Sequence, residues 1–265
     1  MHIIVCVKQI LDPEIPPARF IIDPEKMRVI PPEGIPAVIN PFDEQAMEAA
    51  LRIKDARKDT RITAMSLGDA HSRDILKHCL SMGAGDAYLL EDPAFSSCDS
   101  AGRAYALSMA IRKIGAFDLI LCGRQAADWD EGQTGAHLAE LLGIPLITLA
   151  RKVETPEQAV RVERVTLDGY EIAEAPLPAL VTISNELGQP RLPTGMGIMQ
   201  AMRKQITTWS AANTSADISI LEDIRLRTVR LYKPVRESKC EFAEGKDAAE
   251  AAANLAMKLR EARII

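Results

Sequence analysis

Over its first 150 residues the chain alternates short β-branched or wholly apolar runs with longer stretches whose apolar residues recur every three to four positions. Buried strands stay apolar or keep a period of two, and helices keep a period near 3.6, so the alternation predicts strands linked by crossover helices. Strand-like runs fall at 2–7, 61–67, 87–91 and 117–122, and another opens at 145–149. Helix-like stretches fall at 41–58, 72–82, 100–114 and 131–142, and Gly83, Gly115 and Gly143 stop the last three. In the first of these Phe42, Ala46, Ala49 and Ile53 share one face. Asn40 suits its N-cap, Pro41 its first position, and Asp43 and Glu44 the positive end of its macrodipole. The fold class is α/β: a doubly wound, mostly parallel sheet with helices on both faces.

The pattern breaks in two places. Seven prolines between Pro13 and Pro36 exclude a helix or central strand there and predict an irregular loop, with a small hairpin around 20–29. After residue 158, short runs at 159–166, 170–174 and 179–183, with a turn at Asp168-Gly169, predict a small antiparallel extension of the sheet. The polar stretch 207–216 reads as a linker, 225–233 as extended chain, and 248–262 as a C-terminal helical arm striped by Ala248, Ala252, Leu255, Leu259 and Ala262. The division is therefore an α/β domain over 1–206 and a linker with arm over 207–265.

Composition narrows the function classes. No apolar run approaches the roughly 18 residues of a membrane-spanning helix. With 32 Lys and Arg against 37 Asp and Glu, a net charge of −5 disfavours a broad nucleic-acid surface. The cysteines, Cys6, Cys79, Cys98, Cys122 and Cys240, are odd in number and scattered, which fits reduced thiols better than a disulfide framework. There is no CxxC or HxxxH pair for a metal. The chain opens directly in a strand-like run without a signal-peptide pattern, which favours the cytoplasm, although a processed organellar protein would read alike.

In a doubly wound sheet, ligands sit beyond the carboxyl ends of the strands. The segment there that is richest in chemistry is Gly123, Arg124, Gln125, Ala126, Ala127, Asp128, Trp129, Asp130, Glu131, Gly132, Gln133 and Thr134. It leads from a buried strand to a helix N-terminus, where free N–H groups attract phosphate and Thr134 adds a hydroxyl. The residues alone leave open a capped loop in which Asp128 and Asp130 satisfy the helix end. Asn40, Pro41, Phe42 and Asp43 form a second candidate, readable as a helix cap or as a wall of the same site. Lys8, Gln9 and the 66–68 stretch close two strands on that side. No nucleophile elbow or Cys–His signature is present, nor the Ser-Gly-Gly phosphate-activating loop of adenylating pyrophosphatases. The chain therefore reads as binding a nucleotide without cleaving it.

Taken in order, these pieces resemble the β subunit of electron transfer flavoproteins over nearly the whole length. The matching residues are Val5-Cys6-Val7-Lys8-Gln9, Asn40-Pro41-Phe42-Asp43 with Ala50-Leu51-Arg52-Ile53-Lys54, and the Gly123–Asp128 run through Gln133-Thr134-Gly135. Val162-Glu163-Arg164, the 177–182 run, Pro190-Arg191, the 197–201 run and the closing 259–265 helix complete the match.

The resemblance implies an electron carrier rather than an independent enzyme. It implies a heterodimer with an α subunit that holds the redox FAD, and an AMP in this subunit bound by Cys6, Asn40–Asp43, Leu67 and Gly123–Thr134. It also implies that Phe42 approaches the flavin of the α subunit and that Glu163 pairs with a base of the mobile flavin domain. The arm's narrow stripe of small residues predicts that it lies on the α subunit, the alternative being packing back on its own domain. The segment from Pro190 to Met199 would dock an acyl-CoA-type or other flavin dehydrogenase. Its usual leucine anchor falls at Gly195 here, with Met196 beside it. In an electron-bifurcating branch the β nucleotide is a second FAD that accepts hydride from NADH. The Trp129 and Gln133-Thr134 positions resemble the AMP branch, whereas Gly169-Tyr170-Glu171 and Glu244-Gly245 resemble the other. A stand-alone ATP-binding module of stress-protein type is the alternative from another class.

Overall fold

The computed structural model describes residues 1–234 and 240–265. β1 (His2–Cys6) opens the chain, and β2 (Gln9–Ile10), β3 (Ile21–Asp23), β4 (Arg28–Ile30) and β5 (Val38–Ile39) lie in the proline-rich excursion. Then α1 (Pro41–Ala56), β6 (Arg61–Leu67), α2 (Arg73–Met82), β7 (Asp86–Leu90), α3 (Ser100–Ile114), β8 (Leu119–Gly123), α4 (Thr134–Leu142) and β9 (Leu146–Glu154) alternate. β10 (Ala159–Thr166), β11 (Gly169–Pro176), β12 (Ala179–Ile183), α5 (Gly195–Arg203), β13 (Thr207–Trp209), the short α6 (Ala211–Thr214) and α7 (Ile218–Leu221), and α8 (Ala248–Glu261) follow.

One nine-stranded sheet runs β11-β10-β9-β12-β8-β1-β6-β7-β13. Every pairing in it is parallel except β9 with β10 and β10 with β11, so the α/β expectation holds with the antiparallel extension at one edge. The β1 sequence explains its central place. Ile3 and Val5 point into the layer shared with α1 and α2, while Ile4 and Cys6 point into the layer shared with α3 and α4. Each fully buried aliphatic side chain of this kind contributes roughly 1.5–3 kcal/mol, so a strand apolar on both faces belongs in the middle.

The order also fixes where a ligand can lie. The chain places β6 and β7 on one side of β1, then returns to place β8 on the other. That reversal leaves a crevice beyond the carboxyl ends of β1 and β8.

Several segments differ from the sequence reading. The 179–183 run is not part of the antiparallel extension. As β12 it sits parallel between β8 and β9, and all five of its residues are buried. The hairpin turn is made by Leu167 and Asp168, and Gly169 already pairs with Thr166 as the first residue of β11. The segment read as a linker over 207–216 instead closes the sheet: β13 pairs with β7, Trp209 lies 4.6 Å from the Tyr88 ring, and Ala211 is buried. The Pro190 to Met199 segment is irregular only in its first half, and its second half is the start of α5. Helix α4 begins at Thr134 rather than Glu131, because Asp130 (φ 52°) and Gly132 (φ 64°) take left-handed backbone that no helix start can include.

Candidate functional site

The crevice is a cleft of about 360 Å³, small within the ~300–1,000 Å³ range of ligand sites. β1 runs into it with Cys6 through Gln9, β6 with Leu67 through Asp69, and β8 with Cys122, Gly123 and the loop beyond. The start of α4 also lines it.

Two side chains at the head of α1 hold these pieces together. Asn40 stands at the N-cap but caps nothing. It is fully buried, its Nδ2 donates to the Gln125 carbonyl at 2.8 Å, and its Oδ1 accepts from the Ala127 amide at 3.1 Å. It therefore fixes the loop after β8. Asp43, in the first turn of α1, accepts the Lys8 and Gly123 amides, each at 2.8 Å. Burial pushes its carboxyl up to about 6, although those hydrogen bonds and the Lys8 charge pull it down. A side chain at position 123 would place Cβ only 2.6 Å from Asp43 Oδ1 and from Phe42 Cβ, so only glycine admits this approach.

The loop carboxylates are already engaged. Asp128 takes the Lys8 ammonium at 2.7 Å, Asp130 takes the Gln125 amide at 2.7 Å, and Glu131 accepts from the Ser100 hydroxyl. Neither aspartate reaches the α4 end, so the capped-loop reading of Asp128 and Asp130 is not what forms. Gln133 is the N-cap and makes no side-chain cap bond, and no acidic residue lies in the first turn. The first N–H groups of α4 thus remain available to an anion.

The floor is uncharged. Cys6 and Cys122 are register partners on β1 and β8. Burial, followed by the nearby Asp43 charge, pushes the Cys6 thiol up to about 12, and burial also raises Cys122 strongly. Both stay protonated and are poor nucleophiles. Among the described residues, no group of three His, Cys, Asp or Glu side chains forms a metal site, and no helix is long and apolar enough to cross a membrane.

Most of the residues read from the sequence meet at this cleft, but five of them do not line it. Pro41 and Asp130 are exposed, Ala127 donates its amide to Asn40, Asp128 pairs with Lys8, and Phe42 lies half-buried under the Arg124 guanidinium, 5.2 Å from its ring centroid. The sequence reading missed Asp69 and Ser72, and also Phe95, Ser96, Arg103 and Leu107, which line the cleft too. The available signals were Asp99, which caps α3 on Ala101 and Gly102, and the helical spacing of 103 and 107. Away from the cleft, Glu163 is held by Arg151 at 2.9 Å and Lys152 at 3.4 Å. Leu192 and Met196 are exposed by 86% and 71%, and no residue of α8 is buried.

The family model described as the electron transfer flavoprotein domain matches residues 28–214. The chain is 44% identical over 223 residues to an electron transfer flavoprotein subunit beta of Megasphaera elsdenii, covering 82% of this chain and 81% of that one. It is 36% identical over 267 residues, the full length of both, to the caffeyl-CoA reductase-Etf complex subunit CarD of Acetobacterium woodii. It is 35% identical over 259 residues to the protein FixA of Azotobacter vinelandii, covering 93% of this chain and 89% of that one.

Proposed function

Because the chain belongs to the electron transfer flavoprotein family, as a β-type electron-carrier subunit rather than an independent enzyme, we propose that it pairs with a FAD-bearing α subunit in the cytoplasm and holds a structural AMP in the β1/β8 cleft. The FAD of the α subunit supplies the redox chemistry when bound. This chain contributes the platform, the nucleotide and a docking segment for a dehydrogenase.

The cleft itself carries the reading. It is about 360 Å³ in volume and has an uncharged thiol floor between the ends of β1 and β8. An uncapped helix N-terminus stands at its wall. Its volume suits one nucleoside monophosphate held entirely by this chain. Asn40 and Asp43 preorganise the loops, so binding need not order them. The neutral thiols and the carboxylates held in hydrogen bonds and ion pairs fit a nucleotide that is kept rather than turned over.

A second reading, a bifurcating module whose β nucleotide is a FAD accepting hydride from NADH, is favoured by the full-length likeness to CarD. In that case the adenylate half would occupy the cleft and the flavin half would leave it. The test is co-production with an α subunit of the family, followed by rapid mixing with a reduced acyl-CoA dehydrogenase. Stoichiometric flavin reduction by the dehydrogenase, with no flavin reduction by NADH, supports the carrier. Flavin reduction by NADH supports the second reading. Failure to form a heterodimer counts against both.

A further inference from the structure

We propose that Arg103 supplies the positive charge that holds the nucleotide phosphate at the start of α4, so that the cleft selects its ligand by phosphate charge. The proposal rests on the nucleotide reading above.

Arg103 and Leu107 lie one turn apart on α3 and both line the cleft. The same helix is tied to the loop before α4, because the Ser100 hydroxyl donates to Glu131, three residues ahead of Thr134. Arg103 therefore lines the same cleft as Thr134 and Gly135, on the helix packed beside α4. The other cleft cations are engaged. Lys8 pairs with Asp128 at 2.7 Å, and Arg124 lies over the Phe42 ring and bonds the Gln125 side chain at 3.2 Å. Arg103 makes no side-chain hydrogen bond or ion pair among the described residues, although Asp69 and Glu131 also line the cleft.

A doubly charged phosphate brought beside Asp69 and Glu131 needs a cation. Helix N–H groups supply only partial charge, and a guanidinium matches phosphate oxygens in a fork. An arginine left unpaired in such a cleft, on the side of an uncapped helix end, has the chemistry to close an anion site.

The experiment uses the full-length chain stripped of nucleotide and titrated separately with AMP and adenosine. AMP should bind at least tenfold more tightly than adenosine to the wild type. Arg103→Gln should weaken AMP by roughly ten- to hundredfold, the range for a charge-assisted hydrogen bond, and leave adenosine within about twofold. Arg103→Lys should recover part of the AMP affinity. Unchanged adenosine affinity reports intact folding, so a purely structural role would weaken both ligands together and overturn the proposal. An AMP-to-adenosine ratio in Arg103→Gln equal to that of the wild type would also overturn it, with the nucleotide site left standing. A wild-type chain that binds neither ligand would remove the nucleotide reading and this proposal with it.

Discussion

Asp43 and Gly123 are 80 residues apart, yet the aspartate carboxylate accepts the glycine amide at 2.8 Å while its other oxygen takes the Lys8 amide. One side chain thus joins the ends of two neighbouring parallel strands at the mouth of the cleft. In Asp43→Asn the new amide would face an N–H donor, so one of the two bonds is lost at a cost of about 1–3 kcal/mol. The effect depends on pH. The carboxyl titrates near 6 in the folded chain, above its usual 3.8, so the folded state binds this proton more tightly. The stability that Asp43 contributes is complete below about pH 4 and is lost as pH rises through about 6. Denaturant titrations should show a larger gap between wild type and Asp43→Asn at about pH 4.5 than at about pH 7. A gap that does not change with pH would remove the buried acid from this account.

Thr134 occupies the first position of α4 and lines the cleft. Thr134→Val keeps the shape and removes one donor to phosphate. Nucleotide binding should weaken by roughly 1.5–3 kcal/mol, read as loss of nucleotide through serial dilution. Full retention would mean that the phosphate lies elsewhere.

Met196 stands on the first turn of α5, exposed by 71%, beside Gly195, where the resemblance leads one to expect a leucine anchor. A flexible thioether fills an irregular pocket well, and loss of a hot-spot anchor costs roughly 2 kcal/mol or more. Met196→Ala should slow electron transfer with the native dehydrogenase more than tenfold at limiting carrier concentration, with FAD content and heterodimer stability unchanged. Equal transfer rates would shift the anchor to another residue, Leu192 first.

Helix α8 buries none of its residues on this chain, although Leu255 and Met257 stand exposed on it. Its apolar positions therefore await another surface, and the α subunit is the proposed cover. Truncation after Lys246 should abolish stable heterodimer while leaving the sheet domain folded. Normal co-purification of the truncated chain would place the main contact elsewhere.

The sheet was readable from the sequence where burial was two-sided. Leu119 through Leu121 is apolar throughout and became the central β8. The misreadings arose where tertiary context overrode local pattern. Thr207 and Thr208 are polar, but they complete a parallel edge on β7, and Trp209 anchors them against Tyr88. The 179–183 run followed a hairpin and was grouped with it, although its unbroken apolar character matched a buried strand. At the site, Asn40 and Asp43 were read from the helix start that they do form. Their residue types fit a helix start, but their side chains also tie a loop 80 or more residues away, a contact that spacing does not encode. Arg103 escaped notice because one arginine on a helix carries no pattern, and only the packing of α3 beside the start of α4 brings it to the cleft.

The most direct test is to denature the purified heterodimer and identify the released nucleotides by mass. The account predicts one AMP for each FAD. Two FAD and no AMP would replace the structural-nucleotide reading with the bifurcating one. One FAD alone, with nothing from this chain, would contradict the claim that the β1/β8 cleft is a nucleotide site.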